Sequence, residues 1–355
     1  MIIKKILKLS TLSLFYLLSP ILFLLIKLFK PLKIIRIIPL LSNRYGHLVI
    51  NPEFYLIEKL NNKHKNCYDL FYTVRYGVCN KEVLKLWKKK LKIFPYYILE
   101  PLHKISDKLT KKSNIHTINF FQSKIRDTFG NFNKYPPSVT LDESQKNECI
   151  KVLRKFDIDF KNIRYVCLFN RDDAYLNSGA YKKNWYYLSH HNYKIHIFEK
   201  AAKKLSSNNI MLFRMGAKVE NDFKLNDPNI VDYANSKFRS ELMDIFLASY
   251  CFFGISCGTG SSHVALLNRR PIVDLNANIH HLFTFLENSI CLSKHYFLKE
   301  KKRYLNLREI LSYKEHEMRK RNQLDKLGIE MVDCSPDEIS DAVEDAISKY
   351  MVKIL

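Results

Sequence analysis

Apolar runs and segments with helical spacing follow one another along most of this chain. Short apolar runs rich in β-branched and aromatic residues lie at residues 33–42, 67–73, 164–170, 209–214, 230–232, 250–256 and 271–275. Helical spacing is found around residues 80–93, 141–155, 194–206, 241–249 and 336–355, and another helix is predicted to start near Asn51-Pro52-Glu53. Strands that alternate with helices form βαβ units, so the pattern predicts an α/β fold with parallel sheets.

The N-terminal segment is the most apolar part of the chain. Residues 9–26 are 18 uncharged residues between Lys8 and Lys27. A helix of that length spans about 27 Å, the lower limit for crossing a bilayer, and Pro20 is expected to kink it. No small-residue cleavage site follows, which argues against a signal peptide. We therefore predict a hydrophobic anchor helix within residues 1–32 and leave open whether it spans the membrane or lies at its surface.

The chain is predicted to form two domains behind this anchor. Tyr135-Pro136-Pro137 breaks the pattern and marks the boundary, giving an N-terminal domain at residues 33–140 and a C-terminal domain at residues 141–335. The final segment, residues 336–355, is predicted as a helix that packs back on the N-terminal domain.

Positive charge is concentrated in the first 140 residues. They hold 25 Lys and Arg against 7 Asp and Glu, whereas the remaining residues hold 33 against 28. Next to an apolar N-terminus, this excess indicates a membrane surface as partner. Nucleic acid is not expected, because no motif that interleaves aromatic and basic residues is present. None of the eight cysteines has C-x-x-C spacing, which fits a reduced, cytoplasmic catalytic part.

Three loops after predicted strands carry residues suited to a diphosphate. They are Arg171-Asp172-Asp173, Arg214-Met215-Gly216 and the turn of Ser256, Gly258, Thr259, Gly260, Ser261 and Ser262. Ligands of parallel sheets bind outside the carboxyl ends of the strands. Guanidinium groups and the amides at a glycine-rich helix start both bind phosphate. Each loop also has a purely structural interpretation: an Arg171–Asp172 pair, a salt bridge from Arg214 to Asp232, and a tight turn capped by serine.

A second enzyme class is compatible with the same turn. Gly254-Ile255-Ser256-Cys257-Gly258 fits the G-x-S-x-G motif of serine hydrolases, with Asp274 and one of His280, His281 or His316 as partners. A third alternative is a non-catalytic basic protein that binds membranes. There is no P-loop, no H-E-x-x-H motif and no convincing Asp-x-Asp metal site, so no metal ion is expected.

The acceptor site is expected to contain four binding residues and a base that takes the proton of the acceptor hydroxyl. His47 follows the first predicted strand and is the candidate base, together with Asp172. Arg44, Gly46, Tyr175 and His191 are expected to line the acceptor site.

The order of these motifs resembles a family of bacterial surface-carbohydrate glycosyltransferases found in lipopolysaccharide and capsule gene clusters. The resemblance covers most of residues 33–280 and is carried by these segments: residues 43–48, 51–53, 171–175, 214–216, 232–234, 243–247, 254–262 and Pro271. It departs from the family at His191-Asn192-Tyr193-Lys194, where the family tends to have Arg-Asn followed by an acid.

The resemblance implies a GT-B-like fold, with two Rossmann-like domains facing a cleft. It further implies a nucleotide-sugar donor in the C-terminal domain, an acceptor in the N-terminal domain, and catalysis without metal or cofactor. The expected protein is thus a glycosyltransferase of the inner membrane, with its catalytic domains on the cytoplasmic side. It would transfer a sugar to a lipid-linked or polysaccharide acceptor.

Overall fold

The structure is a computed structural model. It describes residues 2–61, 63, 65–110, 116, 127, 129–177, 192–279, 286–314, 317–318 and 321–351. The chain divides into two compact units. The first is Met1–Arg126 with Pro137–Leu141, and the second is Asp127–Pro136 with Asp142–Leu355. The Tyr135-Pro136-Pro137 segment lies where the chain passes from the second unit back to the first.

The first unit is built on a three-stranded parallel sheet of order β1-β2-β3. The strands are β1 (Ile34–Leu40), β2 (Cys67–Thr73) and β3 (Ile93–Phe94), and its main helices are α1 (Ile2–Leu28), α2 (Tyr45–Leu60), α3 (Lys81–Lys88) and α4 (Tyr96–Leu109). Strands β1 and β2 pair over their whole length, from Ile34 opposite Cys67 to Leu40 opposite Thr73. Parallel neighbours need a crossover connection, and α2 supplies it.

Helix α2 begins earlier than the sequence pattern predicts. It starts at Tyr45, and Pro52 lies inside it, so the predicted start near Asn51-Pro52-Glu53 was wrong. The helix buries Leu48, Val49 and Ile50 one turn before the proline. The free energy gained by burying these side chains outweighs the cost of the hydrogen bond that Pro52 cannot donate.

The second unit is built on a six-stranded parallel sheet of order β6-β5-β4-β7-β8-β9. Its strands are β4 (Arg164–Phe169), β5 (Ile210–Arg214), β6 (Ile230–Val231), β7 (Gly254–Ser256), β8 (Ile272–Ala277) and β9 (Ile290–Ser293). Its helices are α5 (Asn131–Lys134), α6 (Glu143–Arg154), α7 (Ala174–Asn177), α8 (Glu199–Ser207), α9 (Glu241–Tyr250), α10 (His263–Leu267), α11 (Leu307–Ser312), α12 (Arg321–Lys326) and α13 (Pro336–Met351). The predicted α/β class with parallel sheets is confirmed.

A small antiparallel sheet, which the sequence pattern did not predict, completes the second unit. It has the order β11-β10-β12, with β10 (His295–Leu298), β11 (Arg303–Tyr304) and β12 (Ile329–Val332). It packs its own cluster around Tyr296, Met318 and Leu324.

Helix α13 belongs to the second unit. Ile339, Val343 and Tyr350 lie in the same apolar core as Val166 of β4 and Leu205 of α8. Lys204 and Glu344 add an ion pair of 3.0 Å between α8 and α13. The helix was expected to pack on the N-terminal domain; its apolar stripe is instead buried against the second unit's own sheet.

Candidate active site

The strand order of the second unit places a crevice beside β4. Strands β5 and β6 follow β4 on one side, whereas β7, β8 and β9 lie on its other side. The connections therefore run in opposite directions from β4 and β7, which is the arrangement that opens a binding crevice at the carboxyl ends of the strands. The loops that leave these two strands are Asn170-Arg171-Asp172 and the turn that follows Ser256.

The turn after β7 is shaped by Gly258. This glycine is exposed, has a φ of +66°, and no other atom lies within 4 Å of the position that a Cβ would take. A left-handed backbone of this kind favours glycine. The open space above it leaves the backbone accessible to a ligand.

The hydroxyl groups of this turn divide into two sets. Ser256 donates to the Ser262 hydroxyl at 3.0 Å, and Ser262 donates to the carbonyl of Thr259 at 2.7 Å. Ser256, Ser262 and Thr259 are buried, so they hold the turn together. Ser261 and Gly260 are half-exposed and are the members, with Gly258, that a ligand can reach.

The helix that follows the turn is short. Gly260–Ser262 form a single 3-10 turn, and α10 covers only His263–Leu267. Such a short helix has a weak dipole, so the turn amides are the main donors that the predicted helix start offers to an anion. Within the described part of the chain, the Gly260 amide makes no hydrogen bond, and it remains a donor for an anion.

Asp274 lies beneath the turn and was not predicted as part of a phosphate site. It stands opposite Ser256 in the β7–β8 register, and the amide of Gly258 donates a hydrogen bond to its carboxylate. Burial raises the pKa of Asp274 to about 7, and the Gly258 hydrogen bond opposes this increase. An acid inside the apolar run of residues 271–277 was the available signal in the sequence.

Arg171 lies on the other side of the crevice, two residues after β4. Its carbonyl accepts the amide of Tyr193 at 2.9 Å, and Asn170 donates to the carbonyl of Tyr193 at 3.1 Å. The Tyr193 hydroxyl donates to Asn276 at 3.1 Å. Tyr193 thus ties the loop after β4 to the end of β8, a role that the sequence did not reveal. The Arg171 side chain is half-buried, and it remains the candidate phosphate ligand.

Arg214 has the structural role that the sequence left open. It is 1% exposed, and its guanidinium donates to Asp232 at 3.0 Å and to the carbonyl of Asn221 at 3.0 Å. Asp232 also accepts the amide of Phe223 at 3.0 Å. Their charged groups bind each other and fix the segment between β5 and β6. The geometry therefore favours a structural role for Arg214 and Asp232, and their contact with a donor phosphate stays a prediction.

Asp172 and Gly216 also make contacts in the segment between β5 and β6. Asp172 accepts the amides of Ala174 at 3.1 Å and of Glu220 at 3.0 Å, so both carboxylate oxygens are engaged. A Cβ on Gly216 would lie 2.5 Å from Val219, so this position needs glycine for packing. The geometry favours a structural role for Asp172, and its catalytic role stays a prediction. Tyr175 is 40% exposed on the short helix α7.

His47 lies in the first turn of α2, after the carboxyl end of β1. The Asn51 side-chain amide is 3.4 Å from the Nδ1 atom of His47. Burial and then the charge of Arg44 lower the pKa of His47, and the Asn51 contact opposes them. A neutral imidazole at neutral pH has the protonation state that a base requires. Arg44 is exposed and Gly46 is half-exposed beside it.

The remaining predicted residues fall partly outside the described chain. His191 is not among the described residues, and neither are His280, His281 and His316. Ser256 is 2% exposed and its hydroxyl faces Ser262, which does not suit a hydrolase nucleophile.

One group of side chains among the described residues has the composition of a metal site. His295, Cys334 and Glu338 bring one ligand atom each within 4.8 Å of one another. Glu338 accepts from the His295 ring at 2.8 Å and from the Ser335 amide at 2.8 Å, so both of its oxygens already have partners. The expectation of metal-independent catalysis stays a prediction.

Comparisons with known proteins gave structural similarities only. No protein-family model matches this chain, and no curated protein matches it. A glycosyl transferase family 9 protein from Veillonella parvula is similar at 10% identity and a TM-score of 0.47, over 90% of this chain and 98% of that one. The E. coli ADP-heptose LPS heptosyltransferase II is similar at 11% identity and a TM-score of 0.44, over 83% and 98%.

The iron-containing dodecameric glycosyltransferase TibC from enterotoxigenic E. coli is also similar. Its identity is 12% and its TM-score 0.41, over 91% of this chain and 79% of that one. All three proteins are glycosyltransferases by name.

Proposed function

We propose that this protein is a glycosyltransferase that moves a sugar from a nucleotide-sugar donor to a lipid-linked or surface-glycan acceptor. The observation that carries the proposal is the reversal of strand order between β4 and β7, an arrangement that opens a crevice at the carboxyl ends of parallel strands. Its rim has the open left-handed turn at Gly258 on one side and Arg171 on the other. Backbone amides and a guanidinium at a switch point are suited to a diphosphate.

The donor site is proposed to act on the leaving group. The bond between the anomeric carbon and the diphosphate oxygen breaks, and the nucleoside diphosphate leaves with the electron pair. Arg171 and the Gly260 amide stabilise the negative charge that develops on this oxygen. Asp274 fixes the turn through the Gly258 amide, so these donors are held in place before the substrate arrives.

The acceptor step is proposed to use His47. The acceptor hydroxyl oxygen forms the new bond to the anomeric carbon, and its proton passes to the neutral imidazole. Arg44, Gly46, Tyr175 and His191 are the proposed acceptor contacts. Asp172 is the alternative base, although both of its oxygens accept backbone amides.

The cellular setting is proposed to be the cytoplasmic face of the inner membrane, in lipopolysaccharide, O-antigen or capsule synthesis. Helix α1 is long and apolar enough to associate with a bilayer, with a hydropathy of 2.2 over Ile6–Leu28. All eight cysteines are free, which fits a reducing compartment.

The proposal is tested by a thermal-shift screen against a panel of sugar nucleotides, followed by a transfer assay with the best ligand. Arg171→Ala is expected to abolish the shift. Arg164→Ala is the matched control, because Arg164 lies at the opposite end of the same strand. The proposal fails if no sugar nucleotide raises the melting temperature, or if both variants bind as the wild type does.

A further inference from the structure

Helix α1 is docked along the first unit by one continuous face. Its buried and half-buried residues recur every three or four positions: Thr11, Leu12, Phe15, Tyr16, Ser19, Leu22, Phe23 and Ile26. Phe23 and Ile26 pack with Leu99 and Leu102 of α4, and Phe23 also contacts His116 edge-on at 6.2 Å. This spacing is that of a helix lying against a protein surface.

The opposite face of α1 is apolar and exposed. Its exposed large side chains include Leu14, Leu17, Leu18, Ile21, Leu24, Leu25 and Leu28, continued by Phe29 and Leu32. Leu17 is 77% exposed and Leu28 is 74% exposed. An apolar stripe of this length is not stable in water and indicates a surface that something covers.

The partner helix α4 cannot enter the hydrocarbon of a bilayer. Glu100 forms ion pairs with Arg75 at 2.9 Å and with Lys104 at 2.7 Å, and His103 lies 3.1 Å from Asp107. Each charge in the bilayer centre costs several kcal/mol. Because α1 is docked on α4 from Thr11 to Ile26, that part of α1 cannot cross the membrane without leaving its partner.

The part of α1 that precedes the docked stretch is too short to span. Nine residues of α1 precede Thr11, because the helix begins at Ile2. At about 1.5 Å of rise per residue they reach roughly 14 Å, about half of a hydrocarbon core.

The charges around the exposed stripe match an anionic membrane surface. Residues 1–52 contain eight Lys and Arg and no Asp or Glu. Lys8, Lys27, Lys30 and Lys33 are exposed at the two ends of the stripe. Basic residues beside an apolar helical face bind anionic headgroups while the apolar side chains enter the acyl region.

We propose that α1 is a monotopic element: it lies in the plane of an anionic lipid bilayer, with its Leu17–Leu24 face in the lipid and its opposite face docked on α4. This deepens the membrane attachment proposed above and does not depend on the sugar or the nucleotide. It predicts that both termini of the protein are on the same side of the membrane.

Protease protection of tagged protein tests the topology. The full chain carries one epitope tag at each terminus and is expressed in a bacterial host, and protease is added to intact and to lysed spheroplasts. We expect both tags to behave alike in every sample. An N-terminal tag cleaved while the C-terminal tag is protected, or the reverse, would place α1 across the membrane and overturn the proposal.

Binding to lipid vesicles tests whether the Leu17–Leu24 face of α1 enters the lipid. Leu17→Ser/Leu24→Ser is expected to weaken binding of the purified protein to phosphatidylethanolamine–phosphatidylglycerol vesicles at least about tenfold, since both side chains leave the lipid. Leu307→Ser/Leu311→Ser is the matched control, because both leucines are 58% exposed on α11. Equal binding of both variants overturns the proposal. So does loss of self-association with unchanged vesicle binding, which would assign the face to a second copy of the chain.

Sugar-nucleotide binding is measured on the same samples. Its retention in the Leu17→Ser/Leu24→Ser variant shows that the second unit is folded. A failure of donor binding in the wild type would count against the proposed enzyme, not against the topology of α1.

Discussion

The carboxylate of Asp274 accepts a hydrogen bond from the amide of Gly258, and this contact joins β8 to the turn after β7. Among the described residues of the β4–β7 rim, Gly258 in this turn is the only glycine that has a positive φ and no atom within 4 Å of its Cβ position. A half-buried acid therefore supports the part of the protein that we expect to bind a diphosphate.

Asp274 should make stability depend on pH. Its pKa in the folded protein is raised to about 7 from the ordinary 3.8, so between these values the unfolded chain has lost a proton that the folded chain keeps. The free energy of unfolding should then fall as pH rises from about 4 to about 7, and this contribution should level off above pH 7. Urea unfolding at pH 5 and pH 8 measures the change.

Asp274→Asn should reduce the difference in the free energy of unfolding between pH 5 and pH 8. Asp325→Asn, at a partly exposed site on α12, is the control and should leave the difference unchanged. An equal pH dependence in the wild type and in Asp274→Asn would show that Asp274 is ionised throughout.

Arg171→Ala should lower the turnover number about 100-fold or more, which is typical for removal of a group that stabilises a leaving oxyanion. Arg164→Ala should change it little. Steady-state transfer assays with the donor found in the screen measure both. Wild-type turnover in Arg171→Ala would remove this residue from the reaction.

Arg214→Met should destabilise the fold rather than the donor complex. It leaves the Asp232 carboxylate without its buried partner, a change that costs about 3–5 kcal/mol. Arg303→Met breaks an exposed pair with Glu309 and should have a much smaller effect on urea unfolding. If Arg214→Met instead keeps wild-type stability and loses donor affinity, Arg214 is a ligand contact after all.

His47→Gln should lower turnover about 100-fold to 10,000-fold with unchanged donor affinity, because a base acts on the acceptor. In the wild type the rate should fall on the acid side as His47 takes up a proton, below the usual histidine range because its pKa is lowered. That acid limb should be missing from His47→Gln. His103→Gln, also in the first unit, is the control and should retain the wild-type profile.

The parts of the fold that depend on local apolar pattern could be predicted from the sequence. Strand β2 has the predicted bounds, and β5 differs by one residue. Strand β7 covers only Gly254–Ser256: α9 continues to Tyr250, and residues 251–253 connect the helix to the strand. An apolar run between a helix and a turn does not itself show where the helix ends.

The role of each charged side chain could not be predicted in the same way. Arg171 lies just after β4 and Arg214 ends β5, and the local pattern did not show that Arg214 pairs with Asp232, which comes 18 residues later. Tyr193 joins the loop after β4 to the end of β8 through contacts with residues more than 20 positions away. These pairings depend on the packed sheet, which the local sequence pattern does not contain.

The affinity of Gly258→Ala for the sugar nucleotide tests the central claim most directly, with Gly328→Ala as its control. Both glycines have positive φ, +66° and +63°, and neither has another atom within 4 Å of its Cβ position. Alanine therefore strains both turns by a similar amount, about 1–2 kcal/mol, while only one turn is proposed to hold the diphosphate. Isothermal titration calorimetry should show a dissociation constant at least about tenfold higher for Gly258→Ala, corresponding to about 1.4 kcal/mol or more, and an unchanged one for Gly328→Ala. Equal affinities in the two variants would contradict a donor site at the β4–β7 crevice.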